Sequence, residues 1–322
     1  MTPRVLADAC VHVVLRDADG RVLVQTDGTT HVLGEGAVGE PAVWTFAGGV
    51  RVAWRRADGL VYKASHAPDL GWIRAGAIAD GAVGDPSGCA GDGGDQETLV
   101  FSRRGGGAQV LGNFAGSDFW RDVARVPTEP GDGLAVWAWP GLRHVAWVQS
   151  SGAIRHIACP GGAPTSPEPS ARAVGRLAVY AWPHPEERTD HIVFRGPDGH
   201  VHELWLRPDG EWNCHALTSA EDERGEGSPT AYVGHASENE HVLYRGSDGV
   251  VHHRWARANT GNWRHERLHA LPPALSDVDG CVSRDGTHLL TYWGAEGVVI
   301  ATQTPGDGWR WHVSFGGGSA RW

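Results

Sequence analysis

An all-β fold, a seven-bladed β-propeller of four-stranded antiparallel blades, is predicted by three features of the sequence. A hairpin-like segment recurs along the chain, its copies are spaced by 39 to 50 residues, and aromatic-rich apolar runs separate them. The composition agrees, since 46 Gly, 19 Pro and 16 Trp among 322 residues are typical of many short strands joined by turns. Repeats of this length that cannot bury their own apolar faces indicate blades that pack on one another.

The repeated hairpin is clearest in two copies. Residues 191–205 read HIVFRGPDGHVHELW and residues 241–255 read HVLYRGSDGVVHHRW, with eight of fifteen positions identical. Two alternating runs flank a glycine at which the turn requires a positive φ. The corresponding turn glycines of the seven repeats are Gly20, Gly59, Gly106, Gly152, Gly199, Gly249 and Gly297.

Two further strands complete each predicted blade. A tryptophan about thirteen residues after the turn glycine marks an outer strand, as at Trp120 and Trp309, and runs such as residues 134–139 and 177–182 predict the inner strands. Repeat four is degenerate, because residues 160–176 are rich in Pro and Gly and lack the tryptophan. We expect residues 1–322 to form one propeller domain, since ring closure protects strand edges.

Composition also restricts the partners. A net charge of −10 and no basic stripe argue against nucleic acid. No segment has the length and apolarity of a membrane span, and residues 1–15 do not resemble a secretory signal, so we expect a cytoplasmic protein. The five cysteines form no Cys-x-x-Cys pair and no carboxylate recurs beside the histidines, so we predict neither metal nor cofactor.

The repeat unit, H-hydrophobic-x-aromatic-R-G-x-D-G-x-V-H-E-x-W, resembles that of the fungal fucose-specific lectins and their bacterial relatives, most clearly in repeats five and six. The resemblance implies a six- or seven-bladed propeller that binds sugars between adjacent blades. In that family an Arg on the first hairpin strand, a Glu on the second and a nearby aromatic ring hold the sugar. Arg donates to sugar oxygens, Glu accepts from hydroxyls, and the ring packs on the apolar sugar face.

The family's two polar positions have diverged in this chain. We call them position one, eight residues before the turn glycine, and position two, four residues after it. Position one holds His12, Arg51, Thr98, His144, His191, His241 and Leu289, and position two holds Val24, Lys63, Val110, His156, Glu203, His253 and Ala301. No repeat keeps the Arg and Glu together, so the resemblance does not extend to fucose specificity.

We therefore predict a carbohydrate-binding, lectin-like propeller with degenerate sites between blades, whose partner is a glycan or another small molecule. The candidate sugar-binding residues are His191, Glu203, Trp205, His241, Arg245, His253 and Trp255. Two structural interpretations remain open. The recurring histidine is explained equally well as a residue that packs neighbouring repeats together. Arg245, like Arg195, is followed three residues later by an Asp, and the favoured interpretation of that pair is a salt bridge across the turn.

The alternative is a cofactor-independent enzyme, a non-redox cyclase or isomerase with one aromatic pocket in the axial funnel. Its candidate residues lie on the inner strands, and they are Trp44, Phe46, Trp137, Trp139, Tyr180 and Trp182. Core packing is the simpler interpretation of these rings. No catalytic residue is indicated, so the sequence favours a non-catalytic protein, and it specifies neither the sugar nor the oligomeric state. A third hypothesis, a protein-interaction platform, requires a large exposed patch.

Overall fold

The computed structural model describes residues 2–7, 11–91, 96–114, 117, 119–126, 133–139, 141–182, 189–207, 209–219, 224–234, 238–257, 260–283 and 285–315, with the backbone alone at residues 7 and 74. These residues form strands and connecting turns and contain no helix. Accordingly, no helix among them has the length and apolarity needed to cross a membrane.

The strands follow one another along the chain with short connections. In order they are β1 (Arg4–Ala7), β2 (Val11–Arg16), β3 (Val22–Thr26), β4 (Thr29–Gly34), β5 (Ala37–Phe46), β6 (Gly49–Arg56), β7 (Val61–Ala67), β8 (Gly71–Ala79), β9 (Ser87–Ala90), β10 (Gln96–Ser102), β11 (Ala108–Phe114), β12 (Arg121–Val126), β13 (Ala135–Trp139), β14 (Leu142–Val148), β15 (Ile154–Cys159), β16 (Val174–Trp182), β17 (Thr189–Arg195), β18 (Val201–Leu206), β19 (Trp212–Ala216), β20 (Gly225–Gly234), β21 (Asn239–Gly246), β22 (Val251–Arg257), β23 (Arg264–Arg267), β24 (Asp279–Val282), β25 (His288–Gly294), β26 (Gly297–Gln303) and β27 (Arg310–Ser314).

The chain divides into two compact units. The 8–170 unit, Asp8–Ser170, contains strands β2–β4 of blade one, together with blade two (β5–β8), blade three (β9–β12) and blade four (β13–β15). Blades two and three are antiparallel sheets of four strands, whereas blade four has three among the described residues. After β15 only a single bridge, between His156 and Thr165, continues the pairing of blade four, because the Pro- and Gly-rich segment cannot supply a ladder strand.

The 171–322 unit, Ala171–Trp322 together with Met1–Ala7, contains blade five (β16–β19), blade six (β20–β23) and blade seven (β24–β27), each an antiparallel sheet of four strands. Strand β1 lies against blade seven, where the Val5 backbone N–H donates to Asp279 Oδ2 at 2.9 Å. The predicted fold class, an all-β propeller of seven blades with a reduced fourth blade, is confirmed. The extent of one domain over residues 1–322 stays a prediction.

The turns explain why the hairpins recur with this spacing. The turn glycines of blades one, two, five and six have φ values of 77°, 86°, 83° and 79°, a region that side chains with a Cβ rarely adopt. Within each hairpin the register follows the repeat, since His191 pairs with Trp205 and His241 pairs with Trp255. Side chains at equivalent repeat positions therefore point to equivalent faces.

The core of each unit lies between successive sheets. Blades two and three share a cluster that includes Trp44, Leu99 and Phe101, and blades six and seven share one that includes Leu243 and Tyr292. The middle strands are buried on both faces, as the nearly unbroken burial along β10 and β25 shows.

The repeated arginine before each turn does not pair with the turn aspartate, so the predicted salt-bridged turn is wrong among the described residues. Arg195 Nε donates to the Gly227 carbonyl, and Arg245 pairs with Glu226 at 2.9 Å. Asp248, the turn aspartate that follows Arg245, forms its ion pair with Arg267 instead. Arg195 and Arg245 reach away from their hairpins because the beginning of β20 offers a carbonyl and a carboxylate acceptor close to the strands on which they lie.

Candidate functional site

Positions one and two meet in space in three blades. The side chains there are hydrogen-bonded to one another and lie beneath an aromatic ring of the inner strand. The three sets are Trp137, His144 and His156 in blade four, Tyr180, His191 and Glu203 in blade five, and Tyr232, His241 and His253 in blade six. The two positions lie diagonally across neighbouring strands on one face, within the reach of side chains of this length.

Blade five holds a buried ion pair. His191 Nδ1 donates to Glu203 Oε1 at 2.8 Å, and Tyr180 Oη donates to the same oxygen at 2.6 Å. The second oxygen of Glu203 lies 3.2 Å from His215 Nε2, and Thr189 Oγ1 lies 2.8 Å from His191 Nε2. Both oxygens of Glu203 and both nitrogens of His191 therefore have partners within the protein.

The charges in blade five follow from these contacts. Burial lowers the pKa of His191, but the hydrogen bond and charge of Glu203, with the charge of Glu240, raise it above its ordinary value. Burial raises the pKa of Glu203, yet His191 and Tyr180 lower it overall. Burial and the Glu203 charge raise the pKa of Tyr180 well above its usual range. The contacts therefore favour the protonated ring of His191, the ionised carboxylate of Glu203 and the neutral phenol of Tyr180.

Blade six holds uncharged histidines instead. His241 Nδ1 lies 3.0 Å from His253 Nε2, and the two rings are stacked 5.2 Å apart. Burial first, and then the neighbouring histidines His253 and His288, lower the pKa of His241 to about 2. Burial and His288 lower the pKa of His253 to about 3. Both rings are therefore neutral at physiological pH.

Blade seven contributes further groups to the blade-six histidines. The His288 ring lies 4.5 Å from that of His241 and Trp309 meets His253 edge-on at 6.2 Å. Three buried nitrogen atoms here have no hydrogen-bond partner: His241 Nε2, His253 Nδ1 and Trp309 Nε1. Unmet polar atoms gathered at one place are unusual in a protein interior, and a polar ligand would satisfy them. We call His241, His253, Trp255, His288 and Trp309 the blade-six site.

The predicted site residues thus fall into two groups and one outlier. His191 and Glu203 lie together in blade five, with Trp205 in register opposite His191. His241, His253 and Trp255 lie together in blade six, where the rings of His253 and Trp255 are 4.9 Å apart.

The outlier is Arg245. Its guanidinium pairs with Glu226 at the far end of β21, so it belongs to the packing of the strands and not to either group.

The six predicted funnel aromatics are all buried. Trp44, Phe46, Trp137, Trp139, Tyr180 and Trp182 keep 8% of their surface or less. Trp137 and Tyr180 stack on the histidines described above, Trp44 donates to a buried carboxylate, and Trp182 lies in the core cluster of blades five and six. Their placement suits packing and support of polar groups.

Sequence reasoning missed the residues that come from the following blade. His288 and Trp309 join His241 and His253, and Glu240 lies 3.7 Å from His191 Nε2. The signal available in the sequence was the outer-strand tryptophan that recurs in five of the seven repeats, at Trp72, Trp120, Trp212, Trp263 and Trp309. Among the described residues, no three His, Cys, Asp or Glu side chains are arranged to hold a metal ion.

The fold is similar to that of several solved lectins. A lectin from Burkholderia pseudomallei, BP39L, matches with a TM-score of 0.72 at 16% identity, over 93% of each chain. The fucose-specific lectin from Aleuria aurantia matches with a TM-score of 0.58 at 13% identity, over 87% of this chain and 96% of that one. AofleA from Arthrobotrys oligospora matches with a TM-score of 0.58 at 14% identity, over 88% of each chain.

These likenesses concern the fold. No protein-family model and no curated protein matches the chain. The Aleuria lectin is described as a six-bladed β-propeller, and its alignment leaves 13% of this chain uncovered, which is close to one blade in seven. The resemblance inferred from the repeat motif therefore agrees with the solved structures that share the fold.

Proposed function

We propose that this protein is a carbohydrate-binding, lectin-like propeller whose best-equipped site is the blade-six site. The fold is that of sugar-binding lectins, and one of its structural neighbours was solved with alpha methyl fucoside bound. The observation that carries the proposal is the group of unmet buried nitrogen atoms on His241, His253 and Trp309.

The neutral histidine pair suits a sugar hydroxyl in either tautomer. A neutral imidazole has one N–H donor and one acceptor nitrogen. If His241 Nδ1 carries the shared proton, His241 Nε2 is an acceptor and His253 Nδ1 a donor. If His253 Nε2 carries it, the two roles exchange. In both cases the pair offers one donor and one acceptor to a ligand, as a hydroxyl or two neighbouring hydroxyls require.

The surrounding rings supply the apolar part of sugar recognition. Trp309 adds an indole N–H donor, and Trp255 and His288 add ring surface beside His253. Stacking of an apolar sugar face on an aromatic ring and hydrogen bonds to its hydroxyls are complementary forms of recognition. The blade-five group of His191, Glu203 and Trp205 is a second, weaker candidate, because a sugar there must displace partners that are already satisfied.

The decisive experiment is a glycan array followed by isothermal titration calorimetry with the neutral monosaccharides that bind. We expect His253→Leu and Trp309→Leu each to weaken binding about tenfold, since each removes a buried hydrogen-bond partner of the ligand. Trp311→Leu is the matched control, because Trp311 lies two residues from Trp309 and donates to the Ala270 carbonyl outside the site. A common unfolding midpoint among the variants would exclude a general loss of structure.

Two outcomes contradict the proposal: no neutral sugar bound at millimolar concentration, or equal binding by the Trp309 and Trp311 variants.

The enzyme hypothesis stays a prediction. Its funnel residues are buried, and the groups found beneath them, such as His191 and Glu203, are internally bonded.

A further inference from the structure

Blade two has a cationic pair where the other blades have histidine, glutamate, threonine or apolar residues. Arg51 occupies position one and Lys63, the only lysine of the chain, occupies position two. They lie on neighbouring strands, since Lys63 pairs with Ala53, two residues from Arg51 on the same face of β6. This is the only repeat with a cation at both positions.

One carboxylate from blade three stands between the two cations. Lys63 Nζ donates to Glu97 Oε1 at 2.8 Å, and Arg51 Nε lies 3.6 Å from Glu97 Oε2. Asn113 Nδ2 donates to Oε1 at 3.0 Å and Trp44 Nε1 to Oε2 at 3.1 Å. Glu97 is fully buried, so these contacts hold a carboxylate that water does not solvate.

The charges in this group do not cancel. Two cations and one carboxylate leave a local charge of +1 among the described residues, in a chain whose net charge is −10. Both cations are reachable from solvent, since the Arg51 and Lys63 side chains keep 14% and 15% of their surface. Burial lowers the pKa of Arg51, and the Glu97 charge opposes that shift.

Donor capacity also exceeds what the protein uses. Arg51 Nη1 donates to the Val50 and His66 carbonyls, but the buried Nε has no hydrogen-bond partner. Lys63 Nζ uses one of its three N–H donors in the hydrogen bond to Glu97. The same nitrogen lies 5.1 Å from the centre of the Trp120 ring.

We propose that Arg51, Lys63 and Trp120 form a site for an acidic sugar, whose carboxylate binds the two cations from the side on which they are exposed to solvent. A guanidinium and an ammonium on one face bind a carboxylate through charge-assisted hydrogen bonds, and the indole offers apolar surface beside them. The buried Glu97 sets the distance between the two cations. It also neutralises one of their two positive charges, so the site attracts a ligand that carries one negative charge. The sugar part of this inference rests on the proposed function, whereas the selection of an anion rests on blade two alone.

The test compares two ligands that differ at one carbon. Methyl β-D-glucuronide and methyl β-D-glucoside share a ring, and only the first carries a carboxylate. We expect wild-type protein to bind the glucuronide at least about tenfold more tightly in calorimetry at low salt, with the difference falling as salt is added. Lys63→Met is expected to abolish that preference.

A second variant gives a result of opposite sign. Glu97→Gln removes the internal anion while keeping one oxygen that can accept from Lys63 and Asn113, so the local charge rises to +2 and glucuronide binding should tighten severalfold. A merely structural role for Glu97 predicts weaker binding. Arg55→Met is the matched control, because Arg55 lies on the same strand but pairs with Asp85 outside the site, and it should leave the preference unchanged.

The outcomes separate this inference from the proposed function. Equal binding of the two glycosides, or a preference that survives Lys63→Met, overturns the acidic-sugar site even if neutral sugars bind at blade six. A preference that depends on Lys63 supports the site even if no neutral sugar binds, and the proposed blade-six function then fails alone.

Discussion

Acidification from pH 7.5 to pH 5 should destabilise the folded protein because three of its histidines are buried in neutral form. Burial, and then a neighbouring imidazole, lower the pKa of His156 to about 3. The pKa values of His241 and His253 are about 2 and about 3 for similar reasons. In the unfolded chain each ring returns to an ordinary pKa of 6.5 and takes up a proton below it.

The size of the effect follows from proton linkage. At pH 5 an unfolded histidine is about 1.5 pH units below its pKa, so its protonation favours the unfolded state by about 2 kcal/mol. The folded rings remain neutral at that pH, and three of them amount to about 6 kcal/mol. This is comparable with the whole free energy of unfolding of an ordinary domain, which is about 5 to 15 kcal/mol.

One histidine acts in the opposite direction. The pKa of His191 is raised in the folded state, so its contribution is fully present below pH 6.5 and is lost as the pH rises through its folded value. It offsets part of the loss at pH 5. Burial lowers the pKa of His288, which adds to the loss, so the sum is still expected to be unfavourable to folding.

Two measurements check this prediction. Urea denaturation followed by tryptophan fluorescence should show a lower midpoint at pH 5 than at pH 7.5. Ring carbon chemical shifts of ¹³C-labelled histidine, assigned with single His→Gln variants, should show that His156, His241 and His253 do not titrate between pH 8 and pH 5. Titration of all three with ordinary pKa values, or equal stability at the two pH values, would refute the reasoning.

The remaining predictions concern two other features of the packing. Glu203→Gln leaves the His191 cation without its carboxylate, so we expect about 3 to 5 kcal/mol of destabilisation in urea denaturation and a fall in the His191 pKa by NMR titration; an unchanged pKa would contradict the buried ion pair. Gly39→Ala and Gly48→Ala share almost the same backbone strain, with φ values of 73° and 72°. A Cβ at Gly39 also overlaps the Asp85 carboxylate, whereas one at Gly48 meets open space, so Gly39→Ala should lower the unfolding midpoint clearly more. Equal midpoints would show that Asp85 moves freely aside.

The number of blades could be predicted because local chemistry repeats with the fold. A glycine that must adopt positive φ, flanked by alternating runs, specifies a hairpin wherever it occurs, as at Gly199 and Gly249. The reduced fourth blade could be predicted in the same way, since a segment rich in Pro and Gly cannot supply the hydrogen bonds of a strand ladder. These features depend on contacts within about twenty residues.

Arg245 shows where this local reasoning failed. Its sequence neighbour Asp248 suggested a turn salt bridge, yet the structure pairs it with Glu226 on the adjacent strand. Several acceptors lie within reach of a side chain as long as arginine, and sequence distance does not rank them. Only the placement of β20 beside β21 decides which acceptor is closest.

The sequence by itself determined which residue types face one another within a hairpin, because strand side chains alternate with a period of two. His241 with His253 and Arg51 with Lys63 were specified in this way. Only the tertiary structure decided that Trp309 and His288 complete the first pair and that Glu97 lies between the second. Those partners come from the following blade. Their distance from the first pair depends on the twist and packing of two sheets, which no local sequence pattern predicts.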